Sequence, residues 1–147
     1  SEIYLIDSSK KKTDSLKKII KSINFKNNFF IINDRIEILG HQPSLRNSFN
    51  IATARAVSNP STVSEYILPM LKPNGFGILY CGNWNSEDNK NLEKTLGLLN
   101  GKIIQIKNKF LPKNKGIRNA VFIEPITPCP KTFPRSIGKA AKYPLKG

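Results

Sequence analysis

Metal-ligating and redox residues are scarce in this chain. There is one histidine, His41, and there are two cysteines, Cys81 and Cys129, far apart in sequence. Without a second histidine or a paired cysteine, no ordinary zinc site can be assembled. A disulfide is not expected either, because the sequence reads as cytoplasmic. No apolar run approaches the ~18 residues needed to span a bilayer. The N-terminus, Ser1 to Lys12, is an apolar run followed by lysines, the wrong order for a secretory signal. No glycine-rich run of the GxGxxG kind joins a strand to a helix; Gly75-Phe76-Gly77 follows a proline turn and opens a strand instead.

Acid is the other shortage. Ten acidic residues stand against 24 basic ones, for a net charge of +14 over 147 residues. Such an excess favours a polyanionic partner such as nucleic acid. Part of it also fits the general Lys, Asn and Ile richness of an AT-rich genome. The distribution is therefore more informative than the total.

Apolar residues recur in short blocks separated by turn signals. Ile3–Ile6 reads as a buried strand ending at Asp7-Ser8-Ser9. Leu16, Ile19, Ile20 and Ile23 then give an amphipathic helix from about Ser9 to Ser22. Phe29–Ile32 is a second strand, stopped by Asn33-Asp34, and Phe49–Ala54 a third. Pro60 opens a helix whose apolar face is Val63, Tyr66, Ile67, Met70 and Leu71, with Pro69 set to kink or shorten it. Lys72-Pro73-Asn74-Gly75 predicts a turn before the strand Phe76–Cys81. A helix beginning at Ser86-Glu87, with Leu92, Leu96 and Leu99 inward, ends at Asn100-Gly101. Ile103–Ile106 and Ala120–Ile123 form a final pair of strands joined by a basic loop, Leu111 to Arg118.

Strands that alternate with helices define an α/β domain with a largely parallel sheet. The last two strands lack an intervening helix and should pair antiparallel. We divide the chain into residues 1–126, the α/β domain, and residues 127–147, a tail. The tail carries Lys131, Arg135, Lys139, Lys142 and Lys146, four prolines and no acid. It cannot form a packed core of its own. It is either laid over the domain or held ready for an anionic partner.

Several positions could carry chemistry. Ligands of open α/β sheets bind beyond the carboxyl ends of strands, and Asp7 sits at such an end. It could hold ribose hydroxyls, cap the following helix, or do both. Asp34-Arg35-Ile36-Glu37 follows the second strand in the same way, either bordering a ligand or forming a solvated Arg–Glu loop. Arg55, at the tip of the third strand, needs an anion: a ligand carboxylate, a phosphate, or an acid such as Glu37 or Glu65. Pro128-Cys129-Pro130 could mark a nucleophile, but its place in the irregular tail argues against an activated thiolate.

Taken together, these segments resemble the RsmG (GidB) family of small-subunit ribosomal RNA methyltransferases. The resemblance runs in order through Ile6-Asp7-Ser8, Asp34-Arg35-Ile36-Glu37, Thr53-Ala54-Arg55-Ala56-Val57, Ser64-Glu65, Leu68-Pro69, Lys72-Pro73-Asn74-Gly75 and Arg118-Asn119. It ends with Phe133-Pro134-Arg135, Gly138, Lys142 and Pro144-Leu145. The ARAV segment and the tail are its most specific parts. It implies a class I, Rossmann-like sheet, mostly parallel with an antiparallel terminal hairpin. It also implies S-adenosyl-L-methionine-dependent methylation of N7 of guanine 527 in 16S ribosomal RNA. Asp7, Ser8, Ser9, Ile36, Glu37 and Arg55 would bind the cofactor. Arg118, Arg135, Lys139 and Lys142 would meet RNA phosphates.

The expected partner is ribosomal RNA or the 30S particle, met by a monomer in the cytoplasm without membrane or metal. N7 of guanine carries a lone pair and no proton, so no catalytic acid or base needs to be assigned. Two departures stand out. The family's lysine at the end of one strand is replaced here by Tyr80-Cys81-Gly82. The family's first strand and glycine-rich loop are not in this sequence and are expected before Ser1, so the strands ending at Asp7 and Arg55 would border a gap or have to pair directly. Two other readings remain open: a non-catalytic basic RNA-binding module derived from a methyltransferase fold, and a piece of a dinucleotide-dependent oxidoreductase. The long basic tail and terminal hairpin speak against the second.

Overall fold

A computed structural model describes residues 1–23, 28–54, 59–112 and 116–146. The elements run β1 (Glu2–Ile6), α1 (Lys10–Ser22), β2 (Asn28–Ile32), α2 (Ile36–Leu39), β3 (Phe49–Ala54), α3 (Pro60–Ile67), β4 (Leu71–Cys81), α4 (Ser86–Leu98), β5 (Gly101–Phe110), β6 (Ile117–Pro125) and α5 (Lys139–Lys142). Asn59 starts α3 by accepting the Thr62 amide, and Pro60 sits in its first turn where a missing N–H costs nothing. The helix then tightens into a 3-10 turn at Leu68–Met70, where Pro69 forbids its continuation. Asn85 and Asp88 form a reciprocal capping box at the start of α4.

The strands form two sheets. β1 and β2 pair in parallel, Tyr4 opposite Phe30 and Leu5 opposite Ile31. The second sheet has the order β3-β4-β6-β5, with β3 and β4 parallel and β6 antiparallel to both of its neighbours. The strands are thus parallel except at the terminal hairpin, as the sequence predicts. α3 and α4 cover one face of this sheet. Their Val63, Ile67, Leu92 and Leu96, with Leu68 and Leu99 just past their ends, pack on Leu79, Val121 and Ile123, all buried. Each such side chain contributes roughly 1.5–3 kcal/mol on burial. The other face is open: Ile51 and Tyr80 are 54% and 55% exposed.

Three local expectations change. Lys72–Gly75 is not a turn ahead of a strand but lies within β4. The pairing jumps from Phe49–Leu71 to Ile51–Phe76, so the extra residues form a bulge. Asn74 takes the left-handed φ of 63° there, and a Cβ on Gly75 would come within 2.7 Å of the Phe49 carbonyl oxygen. The final strands are longer than their apolar cores suggest, which places Arg118 on β6 opposite Lys109 rather than in a loop. Lastly, Ile19 and Ile23 of the α1 stripe are half exposed instead of buried.

A smaller apolar cluster links the sheets: Leu39, Leu45 and Met70, with Tyr4, Ile6, Ile32, Ile36 and Phe49 around them. Tyr4 stacks on Phe30 at 4.7 Å and meets Phe49 edge-on at 5.0 Å. The tail is laid over the domain. The Arg46 guanidinium donates to the carbonyls of Cys129, Pro130, Phe133 and Gly40. His41 Nε2 reaches the Pro134 carbonyl at 2.7 Å, Thr62 donates to Ala140, and Thr95 donates to Leu145. The buried tail backbone thereby finds donors that a sheet would otherwise supply.

Candidate cofactor cavity and nucleic-acid surface

The carboxyl ends of β1, β2 and β3 open on one cavity of about 550 Å³. Asp7, Ser8 and Lys12 line it from the first strand and α1, Asp34 to Glu37 from the turn into α2, and Ile51 to Ala54 from β3. Four residues singled out from the sequence, Asp7, Ser8, Ile36 and Glu37, therefore meet in one place. Ser9 is absent from the lining; its amide donates to Asp7 Oδ1 at 2.8 Å. Arg55 lies outside the described residues.

Asp7 does not cap α1: the N-cap is Ser9, and among the described residues no side chain caps the helix. Asp7 accepts the Ser9 amide and, at 3.1 Å, the Lys12 ammonium. The Ser9 N–H is the main reason its carboxyl lies below the ordinary value; partial burial opposes this and Lys12 adds to it. The group remains an acceptor-only carboxylate at the mouth of the cavity.

Glu37 behaves differently from its expected role at a ligand's edge. It is 3% exposed, and its Oε1 takes three donors: Arg35 Nη2 at 2.8 Å, the Gly138 amide at 3.0 Å and the Tyr66 hydroxyl at 3.3 Å. Burial opposes its charge, but Arg35 and the Gly138 N–H outweigh that and hold its carboxyl below the usual value. Tyr66 is pushed up to about 12, by burial first and by Glu37 second. Gly138 can aim its amide this way because its φ is 75°, where a side chain is disfavoured. Glu37 thus joins the cavity wall to the tail, a role the Asp34–Glu37 run did not reveal.

β1 and β3 border the cavity from opposite sides. Among the described residues, neither has a strand on that edge. Of the two arrangements expected from the sequence, the gap is the one present, and its floor is apolar: Tyr4, Ile6, Phe49, Ile51 and Met70.

A second cavity, of about 250 Å³, lies where β3 and β4 end. Ala54, Tyr80, Cys81, Asn83, Trp84 and Asp88 are among its walls, and Ala54 belongs to both cavities. Burial, with help from Asp88, pushes the Cys81 thiol up to about 11. Burial likewise pushes Cys129 up to about 12. Neither is a thiolate at neutral pH, so neither has the makings of a nucleophile.

Of the four basic residues assigned to RNA, Arg118, Lys139 and Lys142 are exposed. Arg135 is not available in the same way. Its guanidinium grips Glu65, which is fully buried, through Nε at 2.9 and 3.1 Å and Nη2 at 2.7 Å. The expectation of a phosphate contact gives way here to a structural ion pair, because a buried carboxylate requires a fixed partner. Lys107 and Lys109 on β5 add exposed charge near Arg118. Among the described residues no three His, Cys, Asp or Glu side chains cluster as a metal site, and no helix is long and apolar enough to cross a membrane.

A sheet of this order with a cavity beyond its carboxyl ends places the chain in the class I methyltransferase fold. The fibrillarin of Aeropyrum pernix, solved with natively bound S-adenosyl-L-methionine, superposes with a TM-score of 0.61 at 14% identity, over 83% of this chain and 55% of that one. Residues 1–117 match the family of rRNA small subunit methyltransferase G, GidB, and the chain belongs to it. It is 74% identical over its full length to ribosomal RNA small subunit methyltransferase G of Prochlorococcus marinus subsp. pastoris, and 40% identical over 99% of its length to that of Prochlorococcus marinus strain NATL1A. It spans 62% and 58%, respectively, of those relatives.

Proposed function

We propose that the complete protein containing this chain methylates N7 of a guanine in small-subunit ribosomal RNA, guanine 527 of the 16S molecule, using S-adenosyl-L-methionine. The convergence of Asp7, Ser8 and Ile36 on one cavity at the carboxyl ends of the strands carries the reading. The residues fit the cofactor in part. Asp7 offers an ionised carboxylate for ribose hydroxyls, and Ile36 an apolar surface for adenine. When bound, the cofactor supplies an electrophilic methyl group. The chain's contribution is to hold and orient the reactants, because N7 needs no proton removed. Glu37 serves this task from behind the wall, through Arg35 and the tail.

The test is methyl transfer from labelled cofactor to 30S particles by the complete protein, with the product mapped by cleavage at N7-methylguanine. Asp7→Ala should raise KM for the cofactor about tenfold while leaving affinity for RNA unchanged, since one charge-assisted contact is lost. Absence of label at N7, or an Asp7→Ala protein with wild-type KM, would overturn the reading.

A further inference from the structure

We propose that the smaller cavity, between the end of β4 and the first turn of α4, receives the target guanine, with the Asp88 carboxylate holding the N1–H and N2 amino edge of the base. This rests on the methyltransferase reading above and assigns the substrate side of the same site.

Position is the first argument. The cavity shares the wall residue Ala54 with the cofactor cavity, at the carboxyl end of β3. Its volume of about 250 Å³ suits a single nucleobase. The second argument is surface. Ala54, Val63 and Leu79 are apolar, and Trp84, packed against the same core, adds an aromatic side chain to the lining. Flat bases are held on such surfaces by stacking. The Trp84 indole N–H is buried without an acceptor, so packing alone holds this ring.

Chemistry decides the base. Asp88 Oδ2 caps the Asn85 amide at 3.0 Å, and among the described residues Oδ1 has no partner. A carboxylate only accepts. Guanine offers two adjacent donors, N1–H and the N2 amino group. Adenine has an acceptor at N1, and uracil sets one N–H between two carbonyls. N7 lies on the far edge of the purine from N1 and N2. A guanine anchored at Asp88 therefore turns N7 away from the anchor and keeps its lone pair free.

The experiment uses the complete protein and small ribosomal subunits reconstituted with guanine or inosine at the methylated position. Inosine keeps N1–H and N7 and lacks only the N2 amino group. The wild-type protein should lose about tenfold in kcat/KM on inosine, the effect of one directional base contact. Asp88→Asn keeps an oxygen for the Asn85 amide and turns an NH2 toward the base. It should lose at least as much on guanine and show no further penalty on inosine. Cofactor affinity and melting temperature should stay at wild-type values. An inosine penalty as large in Asp88→Asn as in wild type overturns the assignment, and so does a wild-type protein indifferent to inosine. If the wild-type protein methylates neither RNA, the proposed function falls and takes this assignment with it.

Discussion

Arg135 binds Glu65 with its backbone as well as its side chain: the amide donates to Oε1 at 2.8 Å while Nη2 donates to Oε2 at 2.7 Å. Nη2 also reaches the Tyr143 carbonyl, so one arginine fastens both the start and the end of the last tail segment. Arg135→Ala leaves a fully buried carboxylate without its cation, a change that costs about 3–5 kcal/mol. Denaturant unfolding of the complete protein should show that loss. The salt dependence of its RNA binding should not move. A stable variant with a flatter salt slope would return Arg135 to the phosphate contacts.

Lys139 and Lys142 should behave in the opposite way. Both are exposed on α5, and the Lys142 ammonium lies 5.3 Å from the centre of the Tyr143 ring. Replacing both with alanine should weaken RNA binding and lower the slope of log K against log salt by roughly 1.5, the release expected for two phosphate contacts. The melting temperature should hold. Filter binding across a salt series reads the first quantity, and calorimetry the second.

Acid should loosen the tail. The Glu37 carboxyl is depressed below its ordinary 4.5 in the folded protein, so it stabilises the fold above that pH and loses the contribution as pH falls through the folded value. The Gly138 amide then faces a neutral acid and the tail loses one anchor. Proteolysis within residues 127–146 should accelerate below about pH 4.5 in the wild type. Glu37→Gln should cleave faster already at pH 7 and respond less to acid. A wild-type tail equally protected at pH 3.5 and 7 would remove Glu37 from this role.

These 147 residues alone should bind S-adenosyl-L-methionine weakly, with Kd above about 100 μM. Asp7 and Ile36 furnish one side of the cavity. Between β1 and β3, among the described residues, no strand fills the space, and Tyr4, Ile6, Phe49, Ile51 and Met70 line it. Isothermal calorimetry giving micromolar affinity would refute this.

The elements were legible because their signals are local. The segment Phe49–Ala54, though less apolar than the other strands, is β3 to the residue, and Leu16 to Ile23 marks α1 although its stripe is only half covered. Lys72–Gly75 misled for a physical reason: the same Pro-Asn-Gly chemistry serves a turn between elements and a bulge within a strand. The site was legible as a set of strand ends, hence Asp7, Ser8 and Ile36. Partnerships were not. Arg135 meets Glu65 across 70 positions and Gly138 meets Glu37 across 101, and no periodicity reports such pairings. Arg46 gave no signal at all. It sits in a polar stretch of ordinary appearance, yet its guanidinium gathers four carbonyl oxygens.

The two uncovered strand edges have a consequence for handling the chain in solution. β1 and β3 each present a row of backbone donors and acceptors with the geometry of a parallel ladder and no described strand to complete it. Such a row is a template for any extended segment, including one from another copy. Apolar Tyr4 and Phe49 stand beside it. The net charge of +14 keeps copies apart at low ionic strength, and salt weakens that repulsion. Added salt would therefore bring these edges within reach of one another, and the chain by itself would be most soluble where it is least screened.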